Sequence, residues 1–268
     1  MASGKVYLVG SGPGDPALLT VAAARLLESA DVVFHDDLVS AEILDLIPER
    51  VHVESVGKRC GYARTTQDQI HSLMINAARD GWKVVRLKSG DPLIFGRAGE
   101  EIAALRHARV EYEVVPGITA AFGAAARIGI PLTDRHLASK LVFLSNHQCA
   151  GKERFDWTGV LAEDSTALIY MPGPDYGALA QRLATEGLDP RTPCLVVSRA
   201  TTVSQQVYFA RLANLAKTPP QEAPVVLIVG AVAERYASGR AQPILDGEDL
   251  MFAIDLEPAE LAAQTHIP

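Results

Sequence analysis

Short apolar runs alternate with helical patterns along the first half of the chain. Runs rich in β-branched residues predict strands, and leucines and alanines that recur every three or four positions predict helices. Strict alternation of the two indicates an α/β unit with parallel strands, because each helical crossover returns the next strand in the same direction. The predicted strands are 5–9, 31–34, 51–56, 83–87 and 112–115, and the predicted helices are 16–29, 40–46, 66–79, 99–107 and 118–128.

The start of the first helix is predicted from Asp15 and Pro16. A carboxylate accepts hydrogen bonds from the unpaired N–H groups of a first turn, and proline at the first helical position loses no donor that is needed. We therefore expect one continuous helix from residue 16 to residue 29.

The second half is predicted to be α/β as well, with more hairpin character. Residues 129–135 break both periodicities and contain a glycine and a proline, which is typical of a linker. We expect an N-terminal α/β domain over 1–133, a C-terminal α/β domain over 134–236 and a polar tail over 237–268 that is partly disordered or lies over another surface. The predicted strands here are 140–144, 166–170, 194–198, 206–209 and 225–229, and the predicted helices are 176–186 and 211–216.

Composition and charge narrow the class of function. The chain has 268 residues with a net charge of -7, which argues against nucleic acid as the main ligand, because such domains usually carry a basic surface. It has no apolar run long enough to cross a membrane and no signal-peptide pattern, so cytoplasmic residence is expected. No group of residues has metal-ligand spacing, and Cys60, Cys149 and Cys194 are expected to be reduced thiols.

The first of three glycine-bearing loops covers residues 10–15, Gly-Ser-Gly-Pro-Gly-Asp. A strand, such a loop, a helix and the later Asp36 invite a dinucleotide-binding interpretation. Asp15 stands where the third glycine would fall, however, and its charge would oppose a pyrophosphate, while Pro13 removes a backbone donor. The loop therefore disfavours a nucleotide-dependent oxidoreductase and leaves a purely structural tight turn open.

Two further loops follow predicted strand ends, where open α/β sheets bind their ligands. Residues 88–97 are polar and glycine-bearing, which indicates a ligand site, although a plain strand-to-helix connection has the same pattern. Residues 115–121 lead into a helix of small residues, which would let a flat ligand such as adenine approach the backbone. Tight helix packing explains that segment equally well.

Together with residues 57–59 and 129–133, these loops resemble the tetrapyrrole methylase family, also called class III S-adenosylmethionine-dependent methyltransferases. The resemblance runs over roughly residues 4–235 and implies two α/β domains with S-adenosylmethionine folded in a cleft between them. Within the family, segments 9–15, 36–40, 57–59 and 90–97 are most similar to members that methylate carbon atoms of uroporphyrinogen III. That activity gives precorrin-2 for sirohaem or cobalamin, with S-adenosylhomocysteine as the second product.

The resemblance also implies roles for individual residues. Asp36 and Lys58 occupy positions proposed for the proton acceptor and the proton donor, with helix capping and a solvated surface position as their structural alternatives. Basic side chains at Arg59, Arg97 and Arg135 are candidates for binding the substrate's carboxylates. The implied cofactor contacts are Pro13, Ser89, Gly90, Asp91, Ile94, Thr119, Ala120, Met171 and Ala200.

Several departures from the family pattern keep other acceptors open. The departures are His35, Ser89, Asp134, Ala200 and the segment Ser145-Asn146-His147. A later precorrin or corrinoid intermediate is the main alternative acceptor, RNA or a protein side chain is a more distant one, and a non-catalytic ligand-binding protein is an alternative from another class. The resemblance further implies a homodimer without a membrane partner.

Overall fold

The computed structural model describes residues 4–57, 65–147 and 156–237, and two five-stranded sheets organise them. In the first sheet every pairing is parallel and the strand order is β3-β2-β4-β1-β5. The predicted strands of the first half are confirmed, each end within one residue. They are β1 (Lys5–Gly10), β2 (Val32–His35), β3 (His52–Ser55), β4 (Lys83–Lys88) and β5 (Glu111–Val115).

Five α-helices follow the chain through the first half. The third begins with a reciprocal capping box, in which Thr66 Oγ1 accepts from the Gln69 N–H at 3.2 Å and Gln69 Oε1 accepts from the Thr66 N–H at 2.7 Å. The helices are α1 (Val21–Ser29), α2 (Ala41–Leu44), α3 (Gln67–Arg79), α4 (Ala98–His107) and α5 (Ala120–Arg127).

The prediction of one continuous helix from Pro16 is wrong. Asp15 does accept a hydrogen bond from the Ala17 N–H at 2.9 Å, but the turn that it caps is a short 3-10 helix, Pro16–Leu18. Thr20 has extended backbone, and its Oγ1 accepts from the Ala23 N–H at 3.1 Å to begin α1. Asp15 and Thr20 are both good capping residues, and apolar spacing alone does not distinguish between them.

The second sheet is mixed. Its strand order is β6-β7-β10-β8-β9, with β6 and β7 parallel and the other pairs antiparallel. The consecutive antiparallel strands β8 and β9 confirm the predicted hairpin character. The elements are β6 (Lys140–Ser145), β7 (Ser165–Tyr170), α6 (Tyr176–Thr185), β8 (Pro193–Ser198), β9 (Gln206–Arg211), β10 (Val225–Val229) and α7 (Glu234–Ala237).

The segment predicted as a helix over 211–216 is a 3-10 helix, Leu212–Lys217. Its two buried residues, Leu212 and Leu215, are three positions apart, and this spacing matches the period of a 3-10 helix. A segment this short also has few of the hydrogen bonds that offset the cost of starting an α-helix.

Helix α5 connects the two halves. It follows β5 in the chain, but its small residues Ala121 and Ala124 pack in one hydrophobic cluster with Leu168 and Ile228 of the second sheet. The N-cap residue of α5, Thr119, consequently lies beside the end of β7. The domain boundary at 133/134 stays a prediction, and residues 238–268 of the predicted tail lie outside the described chain.

Within the described ranges, no helix combines the length and the apolar character needed to cross a membrane.

Candidate active site

The carboxyl ends of the parallel strands bring four loops to one edge of the first sheet, the position at which open α/β sheets bind ligands. These loops follow β1, β2, β4 and β5. The loops after β7 and β8 meet them from the second half, and the Asp15 N–H donates to Thr201 Oγ1 at 3.2 Å across this junction. We call these six loops the candidate site.

Three glycines let the loops of the first sheet meet backbone to backbone. A Cβ atom on Gly117 would lie 2.3 Å from the Gly90 carbonyl oxygen and 2.8 Å from Gly10 Cα, closer than real contacts allow. The Gly90 N–H also donates to the Gly12 carbonyl at 2.7 Å. The three loops recognised in the sequence therefore form one unit, and glycine is required at their contact.

The Asp91 carboxylate fastens two of these loops. Its Oδ1 accepts from the Leu93 N–H at 2.8 Å, and its Oδ2 accepts from the Gly117 N–H at 3.1 Å. Asp91 is half-buried, so it also places a negative charge between the loops. The expectation that this charge faces the positive end of a cofactor stays a prediction.

Left-handed backbone is concentrated around the candidate site. Among the described residues, five of the six non-glycine positions with positive φ flank it, the exception being Arg109. Such conformations are uncommon and costly, and they are often found where function requires an unusual geometry. The five are Phe95 (52°), Arg97 (57°), Met171 (50°), Arg199 (48°) and Thr201 (70°).

The Tyr170 hydroxyl connects the two halves at the site. It lies 2.6 Å from Thr119 Oγ1 and accepts from the Ala121 N–H at 3.2 Å. Burial raises the pKa of Tyr170, so the hydroxyl stays protonated at neutral pH. Because Met171 follows Tyr170 directly, one side chain fixes the N-terminus of α5 relative to the loop that carries Met171.

The remaining predicted cofactor-binding residues lie in the same loops. Pro13 is buried, and its ring would be 2.6 Å from a Cβ on Gly123 of α5. Ala200 is buried next to Thr201, whereas Met171 is 43% exposed. Ser89 and Ile94 are partly exposed in the loop after β4, and Ala120 is partly exposed at the start of α5. The structure thus brings all nine predicted positions to one junction.

Asp36 contacts a buried group of charged side chains that was not predicted from the sequence. Arg86 donates to Asp36 Oδ1 through one guanidinium nitrogen, and its Nε donates to Glu101 Oε1 at 3.0 Å. Lys88 Nζ donates to the same Glu101 oxygen at 3.1 Å and lies 3.8 Å from Asp36 Oδ2. We call these four residues the charge quartet. Asp36 does not act as the cap of α2, whose N-cap residue is Ser40.

Exposure distinguishes Asp36 from the rest of the quartet. Its side chain is 32% exposed, whereas those of Arg86, Lys88 and Glu101 are 2%, 4% and 0% exposed. Burial, and next the charge of Arg86, lower the pKa of Lys88. Asp36 is therefore the one carboxylate of the quartet that a molecule in the site could reach.

The pattern of β4 contained a signal for this quartet. Strands of a parallel sheet covered on both faces are normally apolar throughout, and charged residues are almost never fully buried unless they are paired. Arg86 and Lys88 interrupt such a strand at alternate positions, which puts them on one face. Their partner Glu101 lies in α4, and no local pattern identifies it.

Contacts fix the positions of the predicted substrate-binding arginines less firmly than those of the predicted cofactor-binding residues. Arg97 is exposed and pairs with Glu100, Nε to Oε1 at 2.8 Å, which lowers the pKa of Glu100. Arg135 is exposed in the turn between Asp134 and Ala138. Lys58 and Arg59 lie outside the described residues.

His35 and Cys194, which were not predicted to act in the site, have surroundings that are ordinary for their residue types. His35 is buried at the end of β2, with Nδ1 3.1 Å from the Asp36 carbonyl oxygen, as expected for a packed strand-end histidine. Cys194 is a free thiol whose pKa burial raises to about 12, while Cys60 and Cys149 are outside the described residues. Over the described ranges, His, Cys, Asp and Glu form no group that could hold a metal ion.

A glycine-lined loop junction that joins two sheets, with a partly exposed carboxylate beside it, is typical of α/β proteins that bind a ligand at strand carboxyl ends. The chain belongs to the family of tetrapyrrole (corrin/porphyrin) methylases, whose sequence profile matches residues 5–216.

Named relatives agree with this assignment. The chain is 44% identical to the chloroplastic S-adenosyl-L-methionine-dependent uroporphyrinogen III methyltransferase of Arabidopsis thaliana, over 86% of this chain and 64% of that protein. It is 42% identical to a siroheme synthase of Nitrosococcus oceani, over 87% and 50%. The chain thus spans between half and two-thirds of the length of these curated relatives.

A solved structure extends the comparison to the fold. Uroporphyrin-III C-methyl transferase of Thermus thermophilus, crystallised in complex with S-adenosyl homocysteine, superimposes with a TM-score of 0.75 and 39% identity. The match covers 86% of this chain and 99% of that one. The expected tetrapyrrole methylase fold is confirmed.

Proposed function

We propose that this protein transfers methyl groups from S-adenosylmethionine to carbon atoms of uroporphyrinogen III, giving precorrin-2 and S-adenosylhomocysteine. The observation that carries the proposal is the placement of Asp36. Its carboxylate is the one partly exposed member of an otherwise buried charge quartet, and it lies beside the glycine-lined loops of a tetrapyrrole methylase. The similarity to methyltransferases of Arabidopsis and Thermus that are named for this substrate supports the same acceptor.

The residues at the loop junction fit the proposed cofactor. Exposed Met171 and Leu93 offer apolar contact for an adenosine, and Gly90 leaves space next to the backbone of Thr119 and Ala120. Asp91 supplies the negative charge that a sulfonium or an amino group prefers. Pro13, Ser89, Ile94 and Ala200 complete the proposed cofactor contacts.

S-adenosylmethionine, when bound, supplies an electrophilic methyl group. Transfer of that group to a pyrrole carbon would form a carbon–carbon bond and leave the electron pair of the broken carbon–sulfur bond on sulfur. The ring would then be a cation until a proton leaves the adjacent methylene bridge. Asp36 stabilises that cation and accepts the proton, and Arg86 keeps the carboxylate in place.

The substrate's carboxylates require basic side chains. We infer that Arg97 exchanges its contact with Glu100 for a substrate carboxylate, because both partners of that pair are exposed and such pairs contribute little stability. Arg135 and Arg59 are proposed for the same role, and Lys58 is proposed as the proton donor. A cytoplasmic homodimer is inferred from the family resemblance.

Incubation of the purified protein with labelled S-adenosylmethionine and anaerobically prepared uroporphyrinogen III tests the proposal. Label is expected in a dimethylated product with the absorbance of an oxidised precorrin-2 after exposure to air. Binding of S-adenosylhomocysteine without transfer would reject this acceptor in favour of a later precorrin. Absence of binding would reject the methyltransferase function.

A further inference from the structure

Lys88 lies between the proposed cofactor loop and Asp36. It is the last residue of β4, it directly precedes Ser89, and its carbonyl oxygen accepts from the Ser11 N–H at 2.8 Å. Its side chain points the other way along the sheet edge, into the charge quartet, where Nζ lies 3.1 Å from Glu101 Oε1 and 3.8 Å from Asp36 Oδ2. Lys88 therefore contacts both parts of the candidate site.

Stability alone does not explain this arrangement. Removing a lysine from water is expensive, and replacing buried ion pairs by apolar residues of similar volume is often neutral or stabilising. The lysine at the other end of the same strand shows the ordinary alternative, since Lys83 is partly exposed and donates to Ser29 Oγ at 2.8 Å. The burial of Lys88 at this position therefore indicates a functional role for its charge.

Glu101 restricts where the Lys88 ammonium group can lie. One oxygen, Oε1, accepts from both Lys88 and Arg86, so the two cations are held at fixed positions around it. Arg86 contacts Oδ1 of Asp36 and Lys88 faces Oδ2. With a cation at each oxygen, the Asp36 carboxylate has one favoured orientation.

We propose that Lys88, anchored by Glu101, is a positioning residue that fixes the Asp36 carboxylate in the orientation required for methyl transfer. Its effect on turnover rests on the function proposed above, whereas its effect on the orientation of Asp36 does not.

The tests use Lys88→Met, which removes the charge and keeps much of the side-chain length. Lys83→Met is the matched control at the partly exposed end of the same strand. In Lys88→Met the buried Glu101 carboxylate loses one of its two cationic partners. The double variant Lys88→Met/Glu101→Gln removes both charges and so avoids this imbalance.

For Lys88→Met we expect kcat to fall about 100-fold, because displacement of a catalytic group by about 1 Å can cost this much. The Kd for S-adenosylhomocysteine and the KM for the acceptor should stay at wild-type values. The double variant should regain any lost thermal stability and keep the low kcat, and Lys83→Met should match the wild type. Wild-type kcat in Lys88→Met, or a restored kcat in the double variant, would overturn the proposal.

Crystal structures of the wild type and Lys88→Met, both with S-adenosylhomocysteine, provide a test that requires no acceptor. The Asp36 side chain is expected to take a different or a second orientation in the variant. An unmoved Asp36 would reject the role of Lys88 even if uroporphyrinogen III proved not to be the acceptor. Failure of the wild type to methylate this acceptor would instead reject the proposed function alone.

Discussion

The loops that meet at Gly90 and the charges that surround Asp36 are neighbours at the carboxyl end of β4. Backbone contacts determine the geometry of the first region, and charged side chains determine that of the second. At Gly90, three loops meet through backbone atoms, and the Asp91 carboxylate accepts from the Gly117 N–H beside them. At Asp36, four acidic and basic side chains from the loop after β2, from β4 and from α4 determine the geometry. We therefore expect variants of the first region to impair cofactor binding, and variants of the second to impair transfer with the cofactor still bound.

The largest effect is expected for Asp36→Asn. This change keeps the size of the side chain but removes the charge and the base, so kcat should fall at least about 1000-fold. The affinity for S-adenosylhomocysteine, measured by calorimetry, should stay unchanged. Asp37→Asn is the control, because the exposed Asp37 carboxylate accepts from Ser55 Oγ outside the quartet. Equal loss of binding and transfer in Asp36→Asn would contradict the separation of the two regions.

The corresponding change on the backbone side is Gly117→Ala. Its Cβ would lie 2.3 Å from the Gly90 carbonyl oxygen, so the loops must separate and the affinity for S-adenosylhomocysteine should fall about 100-fold or more. Gly99→Ala is the control, because a Cβ there meets nothing within 4 Å and the change should stabilise α4 by about 0.5 kcal/mol. Wild-type affinity in Gly117→Ala would show that this contact does not shape the cofactor site.

A smaller effect is expected for Tyr170→Phe, which removes the hydroxyl that joins Thr119 to the second half. The ring contact with Phe95, 5.2 Å between centroids, can remain. Loss of one hydrogen-bonded group is typically worth about 1 kcal/mol, so the Kd for S-adenosylhomocysteine should rise about fivefold. Tyr112→Phe, which removes an exposed hydroxyl bonded to Arg106, should leave the Kd unchanged. Equal Kd values in the two variants would exclude a special role for Tyr170.

The smallest expected effect is on the stability of the folded state, at Asp189, which is remote from both regions. Hydrogen bonds from Arg191 lower the pKa of Asp189 from 3.8 to about 2. A carboxyl group with a lowered pKa stabilises the folded state above its unfolded pKa, and this contribution disappears as the pH falls through the folded value. Asp189→Asn should therefore unfold at slightly lower urea concentration at pH 6, and the difference should narrow towards pH 2. Methyl transfer should not change.

The same contrast explains how far the sequence could be interpreted. The glycine loops are local patterns at strand ends, so the place of the candidate site could be predicted from the order of residues. The quartet joins positions 36, 86, 88 and 101, which come together through strand order and the packing of α4, and no local pattern encodes that pairing. The predicted start of a helix was wrong where two residues could each act as the cap, as with Asp15 and Thr20.

A crystal structure of the wild-type protein with S-adenosylhomocysteine would show whether the cofactor loops and Asp36 form one site. We predict that the ligand lies against the backbone of Gly90 and Thr119, contacts Met171, and directs its sulfur towards the side on which Asp36 is exposed. A cavity of about 550 Å³ at the opposite end of the second sheet, lined by Ser165, Arg191 and Gly230, offers a different location. A ligand found there, or a sulfur directed away from Asp36, would rule out the proposed site.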